Sequence, residues 1–249
     1  MGRLQDRVAL VIGGSGGIGG VIARGFAAEG ARIGIAGRTP SKVEAAVAAL
    51  KQSGADAIGH TGELSGRDDC AAAVDKIADA FGRLDILVNS QGVTVLKPAA
   101  DVTEEEYDRV LQTNLKSVFF ACQAAHRHMR RKGGVIINIA SLSAHRGWTL
   151  AAAYAASKHG VLALTKSFAS EWAADGVRVN SITPGFYKTD LNRNMSPARE
   201  AAAIAGTPAR RFGELGELTG TAVFLASDDA RFITGTDIAV DGGFLAQGI

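Results

Sequence analysis

Short runs of β-branched residues alternate along the whole chain with longer, alanine-rich stretches of helical period. The predicted strands are 8–12, 32–36, 57–60, 86–89, 135–139, 177–183 and 237–240. The predicted helices are 18–29, 41–53, 68–81, 104–131, 154–174 and 216–226. Strands that alternate with helices in this way form a parallel sheet joined by crossover connections, so the pattern predicts the α/β class.

The same pattern also limits the domain organisation. No linker rich in proline or serine and no internal repeat interrupts the 249 residues, so we predict a single domain over 1–249. The least regular stretch, 184–208, is long enough to form a lid beside a site. Periodicity alone leaves two architectures open, a (β/α)8 barrel and an open, doubly wound sheet.

A glycine-rich turn between the first strand and the first helix decides between these architectures. The turn reads Gly13, Gly14, Ser15, Gly16, Gly17, Ile18 and Gly19. Glycines permit a tight turn and a close approach to a pyrophosphate, and the helix N-terminus stabilises its negative charge. We therefore predict a Rossmann-type doubly wound sheet with helices on both faces and a dinucleotide at this turn.

Read literally, the same residues match the G-x-S-x-G turn of serine hydrolases, with Ser15 as nucleophile. That interpretation needs an acid and then a late histidine downstream. The last histidine is His159, and the 90 residues after it contain no histidine. A serine hydrolase is therefore kept only as a minor alternative.

The choice of dinucleotide depends on the end of the second strand, where an acidic residue would bind the ribose hydroxyls of NAD. Here Gly37 and Arg38 occupy that place. A neutral glycine leaves room for a 2′-phosphate, and an arginine can pair with that phosphate through two hydrogen bonds. NADP is favoured over NAD, although Arg38 would also be explained by stacking on the adenine or by facing solvent.

A tyrosine and a lysine, Tyr154 and Lys158, are spaced to lie on one face of a helix. A phenol with a pKa near 10 is a poor base at neutral pH, and a nearby ammonium favours its ionised form. The pair therefore suggests a general acid or base.

With this pair the chain resembles the short-chain dehydrogenase/reductase family over nearly all of its length. The residues that carry the resemblance are the glycine turn, Asn89 to Gly92, Asn114, Ser141, Tyr154 with Lys158, and Pro184 and Gly185 with Thr189. Ser141 precedes Tyr154 by 13 residues, which is the family spacing. The resemblance implies the interconversion of a ketone and a secondary alcohol with a nicotinamide cofactor.

It also implies roles for individual residues. Tyr154 would be the general acid in reduction and the base in oxidation, and Lys158 would lower its pKa and hold the nicotinamide ribose. Ser141 would bind the substrate oxygen, and Asn114 would position a proton-relay water. The expected cofactor contacts are Gly13, Ser15, Gly16, Gly17, Ile18, Gly19, Arg38, Glu63, Leu64, Asn89, Ser90, Gly92, Tyr154, Lys158, Pro184, Gly185, Tyr187 and Thr189.

The chain departs from the family pattern at three places. Ile12 stands where a threonine is usual, Ser90 and Gln91 replace Asn-Ala, and Glu63 with Leu64 takes the place of an Asp-Val or Asp-Leu pair that contacts the adenine. These departures concern individual contacts rather than the reaction.

The resemblance extends to the gluconate 5-dehydrogenase and deoxygluconate dehydrogenase branch, which implies a small polyol or sugar acid as substrate. The expected substrate contacts are Ser141, His145, Arg146 and Trp148, with Arg146 pairing a carboxylate. The alternative is a 3-oxoacyl carrier-protein reductase, although Ser170 stands where such enzymes commonly have an arginine. A non-catalytic dinucleotide-binding module is a further minor alternative.

Composition bears on partners and location. The net charge is +2, and no basic run is longer than Arg130 to Lys132, so neither a nucleic acid nor a membrane surface is expected as partner. Two cysteines and the lack of a long apolar run suit a cytoplasmic protein. Cys122 and His126 offer too few ligands for a metal, so none is expected. By resemblance, we expect a homotetramer.

Overall fold

The computed structural model describes residues 2–189 and 195–247. Its centre is a seven-stranded parallel sheet in the order β3-β2-β1-β4-β5-β6-β7. The strands are β1 (Val8–Ile12), β2 (Arg32–Gly37), β3 (Ala57–Thr61), β4 (Ile86–Asn89), β5 (Gly134–Ile139), β6 (Val177–Pro184) and β7 (Asp237–Val240). The predicted open, doubly wound sheet is confirmed. Its strand order reverses between β1 and β4, where folds of this kind bind ligands beyond the carboxyl ends of the strands.

Helices cover both faces of the sheet. They are α1 (Gly17–Ala28), α2 (Pro40–Gln52), α3 (Arg67–Phe81), α4 (Glu104–Leu111), α5 (Ser117–Met129), α6 (Ala152–Trp172), α7 (Pro197–Gly206) and α8 (Glu217–Ala226). Alternate residues of β1 enter two cores, Ala9 and Val11 with α1, α2 and α8, and Val8 and Leu10 with α3, α5 and α6. Because strands buried on both faces need apolar residues throughout, the β-branched runs were visible in the sequence.

The long helix predicted over 104–131 is interrupted. A π-helical turn, Gln112–Lys116, separates α4 from α5. The helix begins as a capping box predicts, because Thr103 Oγ1 accepts a hydrogen bond from the Glu106 amide and Glu106 accepts one from the Thr103 amide. Single π turns inside helices frequently occur at functional sites.

A helix lies inside the segment expected to be irregular. Within 184–208, α7 begins after Ser196, whose Oγ accepts a hydrogen bond from the Arg199 amide, and Pro197 occupies the first helical position. Short polar and proline residues made this stretch look like a loop, although an alanine-rich run follows. Residues 190–194 of the expected lid lie outside the described residues, and its closure stays a prediction.

In the described ranges, no helix combines the length and the apolar character that crossing a membrane requires.

Candidate active site

At two positions of the glycine turn, Gly13 and Gly19, the surrounding backbone leaves no space for a side chain. Gly13 has a φ of 77°, and a Cβ atom there would lie 2.9 Å from the Gln91 amide nitrogen. A Cβ atom on Gly19 would clash with the Gly13 carbonyl oxygen, so α1 packs directly on the turn. A Cβ atom on Gly16 would meet open space. The turn is therefore tight against the protein on one side and open on the other.

An open cleft of about 640 Å³ runs from this turn along the carboxyl ends of the strands to α6. Of the expected cofactor contacts, its lining includes Gly13, Ser15, Gly16, Gly17, Ile18, Ser90, Gly92, Tyr154, Lys158, Pro184, Gly185, Tyr187 and Thr189. The fold thus brings these residues from four separate segments of the sequence to one continuous groove. We call it the cofactor cleft.

Five expected cofactor contacts do not line this cleft. Gly19 packs beneath the turn, Arg38 and Glu63 are exposed, and Leu64 is buried in the core between the sheet and α3. Asn89 lies within the sheet, where its Nδ2 donates to Asn138 Oδ1 at 2.9 Å and to Cys122 Sγ at 3.3 Å. In this structure Asn89 joins the central strands to α5.

Two polar residues that were not among the expected contacts, Lys42 and Gln91, also line the cleft. Lys42, in the first turn of α2, contributes a cation near the glycine turn. Gln91 donates from Nε2 to Ser117 Oγ at 2.9 Å, while its buried Oε1 has no hydrogen-bond partner among the described residues. An unpaired buried carbonyl oxygen is costly, so it fits a polar ligand or water in the cleft. The departure from the family pattern at Gln91 was the available signal.

Asn114 lies in the π turn and is fully buried. Its Oδ1 accepts from the Val93 amide at 2.8 Å, and its Nδ2 donates to the Val93 carbonyl at 2.9 Å and to Ser157 Oγ at 3.0 Å. These bonds tie the loop after β4 to α6. A Cβ atom added to Gly92 would lie 3.6 Å from Asn114 Oδ1 and 3.8 Å from Lys158 Nζ, so both groups border one small space.

Ser141 follows β5 at its carboxyl end. Its Oγ accepts hydrogen bonds from the Ser143 amide at 3.3 Å and from Ser143 Oγ at 3.1 Å. Because both of these bonds occupy the acceptor side of the hydroxyl, its own proton is left to donate elsewhere. Ser141 is hydrogen-bonded to the Tyr154 side chain, and this bond opposes the rise in the Tyr154 pKa.

Tyr154 and Lys158 lie one turn apart on α6 at the deep end of the cleft. Burial raises the pKa of Tyr154 above its usual value, and the Ser141 bond only partly offsets this. Burial also lowers the pKa of Lys158 to about 8. Lys158 is not among the causes of the shift in the tyrosine pKa, so the expected lowering of that pKa by Lys158 stays a prediction. Lys158 Nζ lies 5.9 Å from the centre of the tyrosine ring and donates to the Ile139 carbonyl at 2.8 Å.

A second cavity, of about 410 Å³, opens from the same residues. It shares Ser141, Tyr154, Pro184 and Gly185 with the cofactor cleft. The rest of its lining is Thr94, Leu96, Leu142, Ser143, Trp148, Ala151, Phe186, Met195, Ser196 and Arg199. Its size lies within the usual range for small-molecule sites. We call it the substrate cavity.

Of the loop residues expected to contact substrate, Trp148 lines the substrate cavity and two others do not. His145 Nε2 lies 3.1 Å from both Thr183 Oγ1 and Asp237 Oδ2, so the ring is held against β6 and β7. Arg146 donates to the carbonyls of Leu245 and Gln247, at 3.2 and 3.1 Å, and its guanidinium lies over Phe244. The structure therefore directs Arg146 to the C-terminal segment.

The two cavities meet at Ser141, a hydroxyl donor, and at Tyr154, a phenol that can act as an acid, and the buried Lys158 lies one helical turn from the tyrosine. A long cleft with a glycine turn at one end fits a dinucleotide. Gln91 Oε1, which is buried in its wall and has no partner in the described part of the chain, fits a polar ligand. A proton donor beside a hydroxyl that can bind a developing alkoxide suits carbonyl reduction.

Comparison with known proteins agrees with this chemistry. A family model described as enoyl-(acyl carrier protein) reductase matches residues 13–245. The chain is 41% identical to a 2-dehydro-3-deoxy-D-gluconate 5-dehydrogenase of Bacillus subtilis, over 98% of this chain and 96% of that protein. It is 40% identical to a D-threitol dehydrogenase of Mycolicibacterium smegmatis, over 97% and 94%. It is 39% identical to a 3-oxoacyl-[acyl-carrier-protein] reductase of Staphylococcus aureus, over 96% and 98%.

Among solved structures, the fold matches a gluconate 5-dehydrogenase from Burkholderia cenocepacia in complex with NADP and tartrate. The TM-score is 0.95 at 35% sequence identity, and the match covers 99% of this chain and 98% of that one.

Proposed function

The chain belongs to the short-chain dehydrogenase/reductase family. On that premise, we propose that it interconverts a secondary alcohol and a ketone on a small sugar acid or polyol, with NADP as cofactor. The protein is an NAD(P)-dependent oxidoreductase. The observation that carries the proposal is the meeting of the cofactor cleft and the substrate cavity at Ser141 and Tyr154.

In this proposal, each residue of the junction has one chemical task. A nicotinamide held beside Tyr154 and Lys158 in the cofactor cleft would supply the hydride chemistry of the interconversion. Tyr154 donates a proton to the carbonyl oxygen in reduction and takes it back in oxidation. The Ser141 hydroxyl donates a hydrogen bond to that oxygen and stabilises the charge that develops on it.

Lys158 and Asn114 act behind the tyrosine. Lys158 places its ammonium at the deep end of the cofactor cleft, where it holds the cofactor and favours the ionised form of Tyr154 when the base is needed. Asn114, fixed by Val93 and Ser157, borders the same space beside Gly92 and positions a water that exchanges protons with Lys158.

NADP is the preferred cofactor in this proposal. Support comes from Arg38, exposed at the end of β2, and from Lys42, which lines the cofactor cleft near the glycine turn. A 2′-phosphate is attracted by such cations, and Gly37 leaves no carboxylate to repel it. A Cβ atom on Gly37 would lie 3.3 Å from Ser15 Oγ, so this residue borders the turn itself.

The names of the relatives leave a second candidate function. A 3-oxoacyl-[acyl-carrier-protein] reductase is 39% identical, and the matching family model is also described by an acyl-carrier-protein substrate. A screen of sugar acids, polyols and acetoacetyl thioesters, followed by the absorbance of the reduced nicotinamide in both directions, separates the two functions. Turnover of sugar acids or polyols is expected. Turnover confined to the thioesters would favour the second function.

We also propose that the protein is a cytoplasmic homotetramer. In the described part of the chain, β7 ends the sheet and pairs only with β6, and Phe232 before it is fully exposed. An open strand edge beside an exposed aromatic ring is suited to pairing with a second copy. Both cysteines are buried and form no disulfide, which suits a reducing compartment. A monomeric mass by light scattering would contradict the tetramer.

A further inference from the structure

The substrate cavity has a single formal charge among the described residues that line it. That charge is Arg199, which is partly buried in the first turn of α7. The other lining residues are hydroxyl-bearing, aromatic or aliphatic, and no Asp or Glu is among them. A cavity with one cation and no anion favours a substrate that carries a negative charge.

Among the residues that the structure describes, Arg199 has no ion-pair or side-chain hydrogen-bond partner that would explain its charge. The neighbouring acid, Glu200, is paired with Lys188 at 2.8 Å, and no hydrogen bond from the Arg199 guanidinium is found within the described ranges. A cation in the first turn of a helix also opposes the helix dipole, so helix stability does not account for it.

Arg146, the other candidate cation, is already engaged. Its Nη2 is hydrogen-bonded to two backbone carbonyls of the C-terminal segment, and its guanidinium covers Phe244 at 5.4 Å. Sequence proximity to Ser141 suggested Arg146, but the fold brings Arg199 from α7 into the cavity instead.

We propose that Arg199 pairs the carboxylate of an acidic sugar substrate while Ser141 and Tyr154 hold the oxygen that reacts. This inference rests on the proposed function and adds that Arg199 favours sugar acids over uncharged polyols. Thr94, Ser143 and Ser196 supply hydroxyls around the polyol chain, and Trp148 covers it. Arg199 is a specificity residue, because it touches a part of the substrate that does not react.

The test compares a charged and an uncharged substrate. D-gluconate and D-threitol are assayed with NADP+ on the wild type and on Arg199→Gln, Arg199→Lys and Lys188→Gln. Lys188→Gln is the matched control, because it removes one positive charge from an exposed side chain that contacts the same helix. Arg199→Gln should raise the KM for D-gluconate roughly 10- to 100-fold with little change in kcat, as expected for lost ground-state pairing.

The remaining expected results follow from the same pairing. Arg199→Lys should recover part of the loss, because it restores the charge without the two-pronged geometry. The KM for D-threitol should stay unchanged in every variant, and Lys188→Gln should behave as wild type. An unchanged KM for D-gluconate in Arg199→Gln, or an equal rise for both substrates, would overturn the assignment.

Calorimetric titration separates a failure of this inference from a failure of the proposed function. D-gluconate and tartrate are titrated into the NADP+-loaded wild type and Arg199→Gln. Binding that depends on Arg199 without turnover of either substrate would support the anion site and contradict the proposed function. Turnover of both substrates, with anion binding that does not depend on Arg199, would contradict the anion site and leave the oxidoreductase proposal standing.

Discussion

Burial of Lys158 should make the stability of the cofactor-free protein depend on pH in a defined window. The pKa of this lysine falls from its usual 10.5 to about 8 because the ammonium is removed from water. At about 1.4 kcal/mol for each pH unit, that difference corresponds to about 3 kcal/mol of destabilisation at pH 7. Between pH 8 and 10.5 the unfolded chain binds more protons than the folded one, so stability rises with pH.

The measurement is denaturant unfolding of wild type and Lys158→Met at several pH values and one protein concentration, without cofactor. The difference in unfolding free energy, wild type minus variant, should rise by about 1.3 kcal/mol between pH 7 and 9 and by about 2.5 kcal/mol between pH 7 and 10. Taking this difference cancels the contribution of every group that titrates equally in both proteins.

Lys166 provides the control, because it is an exposed lysine on the same helix. The corresponding difference for Lys166→Met should stay flat over this range. A flat or falling difference for Lys158→Met would refute the argument that the buried, charged ammonium destabilises the folded protein.

Three further predictions follow from the site. Asn114→Ala should lower the unfolding free energy by about 1 to 3 kcal/mol, because it leaves the Val93 amide and carbonyl without their partner; denaturant titration checks this. Arg38→Ala should weaken NADPH binding and spare NADH, and Gly37→Asp should shift preference toward NADH; titration with both cofactors checks this. Gly37→Ala is the control for Gly37→Asp, because it adds the same Cβ atom, 3.2 Å from Val43, without the charge. Wild-type protein that binds NADH as tightly as NADPH, or more tightly, would contradict the NADP preference. Because the raised pKa of Tyr154 keeps the phenol protonated at neutral pH, alcohol oxidation should speed up as the pH rises toward that pKa and carbonyl reduction should slow down. Initial rates in both directions measure this, and a pH-independent oxidation rate would argue against the tyrosine as base.

The architecture could be predicted because it depends on local chemistry that repeats. Strands such as β1 are buried on both faces and therefore consist of apolar residues, most of them β-branched. The glycine turn is recognisable because its geometry requires glycine at positions such as Gly13, where φ is 77°. Helix α7 was not predicted, since its ten residues follow an irregular, polar stretch and its N-terminal signal is a single Ser-Pro pair.

The walls of the site were harder to predict because they depend on packing between distant segments. Arg146 is close to Ser141 in sequence, yet it turns to the C-terminal segment, whereas Arg199 reaches the cavity from another helix. Asn89 belongs to a recognisable motif, but a motif does not show that its side chain lies inside the sheet beside Asn138. Lys42 and Thr94 had no local signal at all.

The central claim is that Tyr154 transfers the proton in a nicotinamide-dependent reaction. It is tested most directly by comparing wild type and Tyr154→Phe in the D-gluconate assay with NADP+, after fluorescence titration has shown that both bind NADPH. The account predicts turnover by the wild type, and a fall of about 100- to 10,000-fold in kcat for a variant that still binds the cofactor. A Tyr154→Phe protein with full activity, or a wild type that binds no nicotinamide, would contradict it.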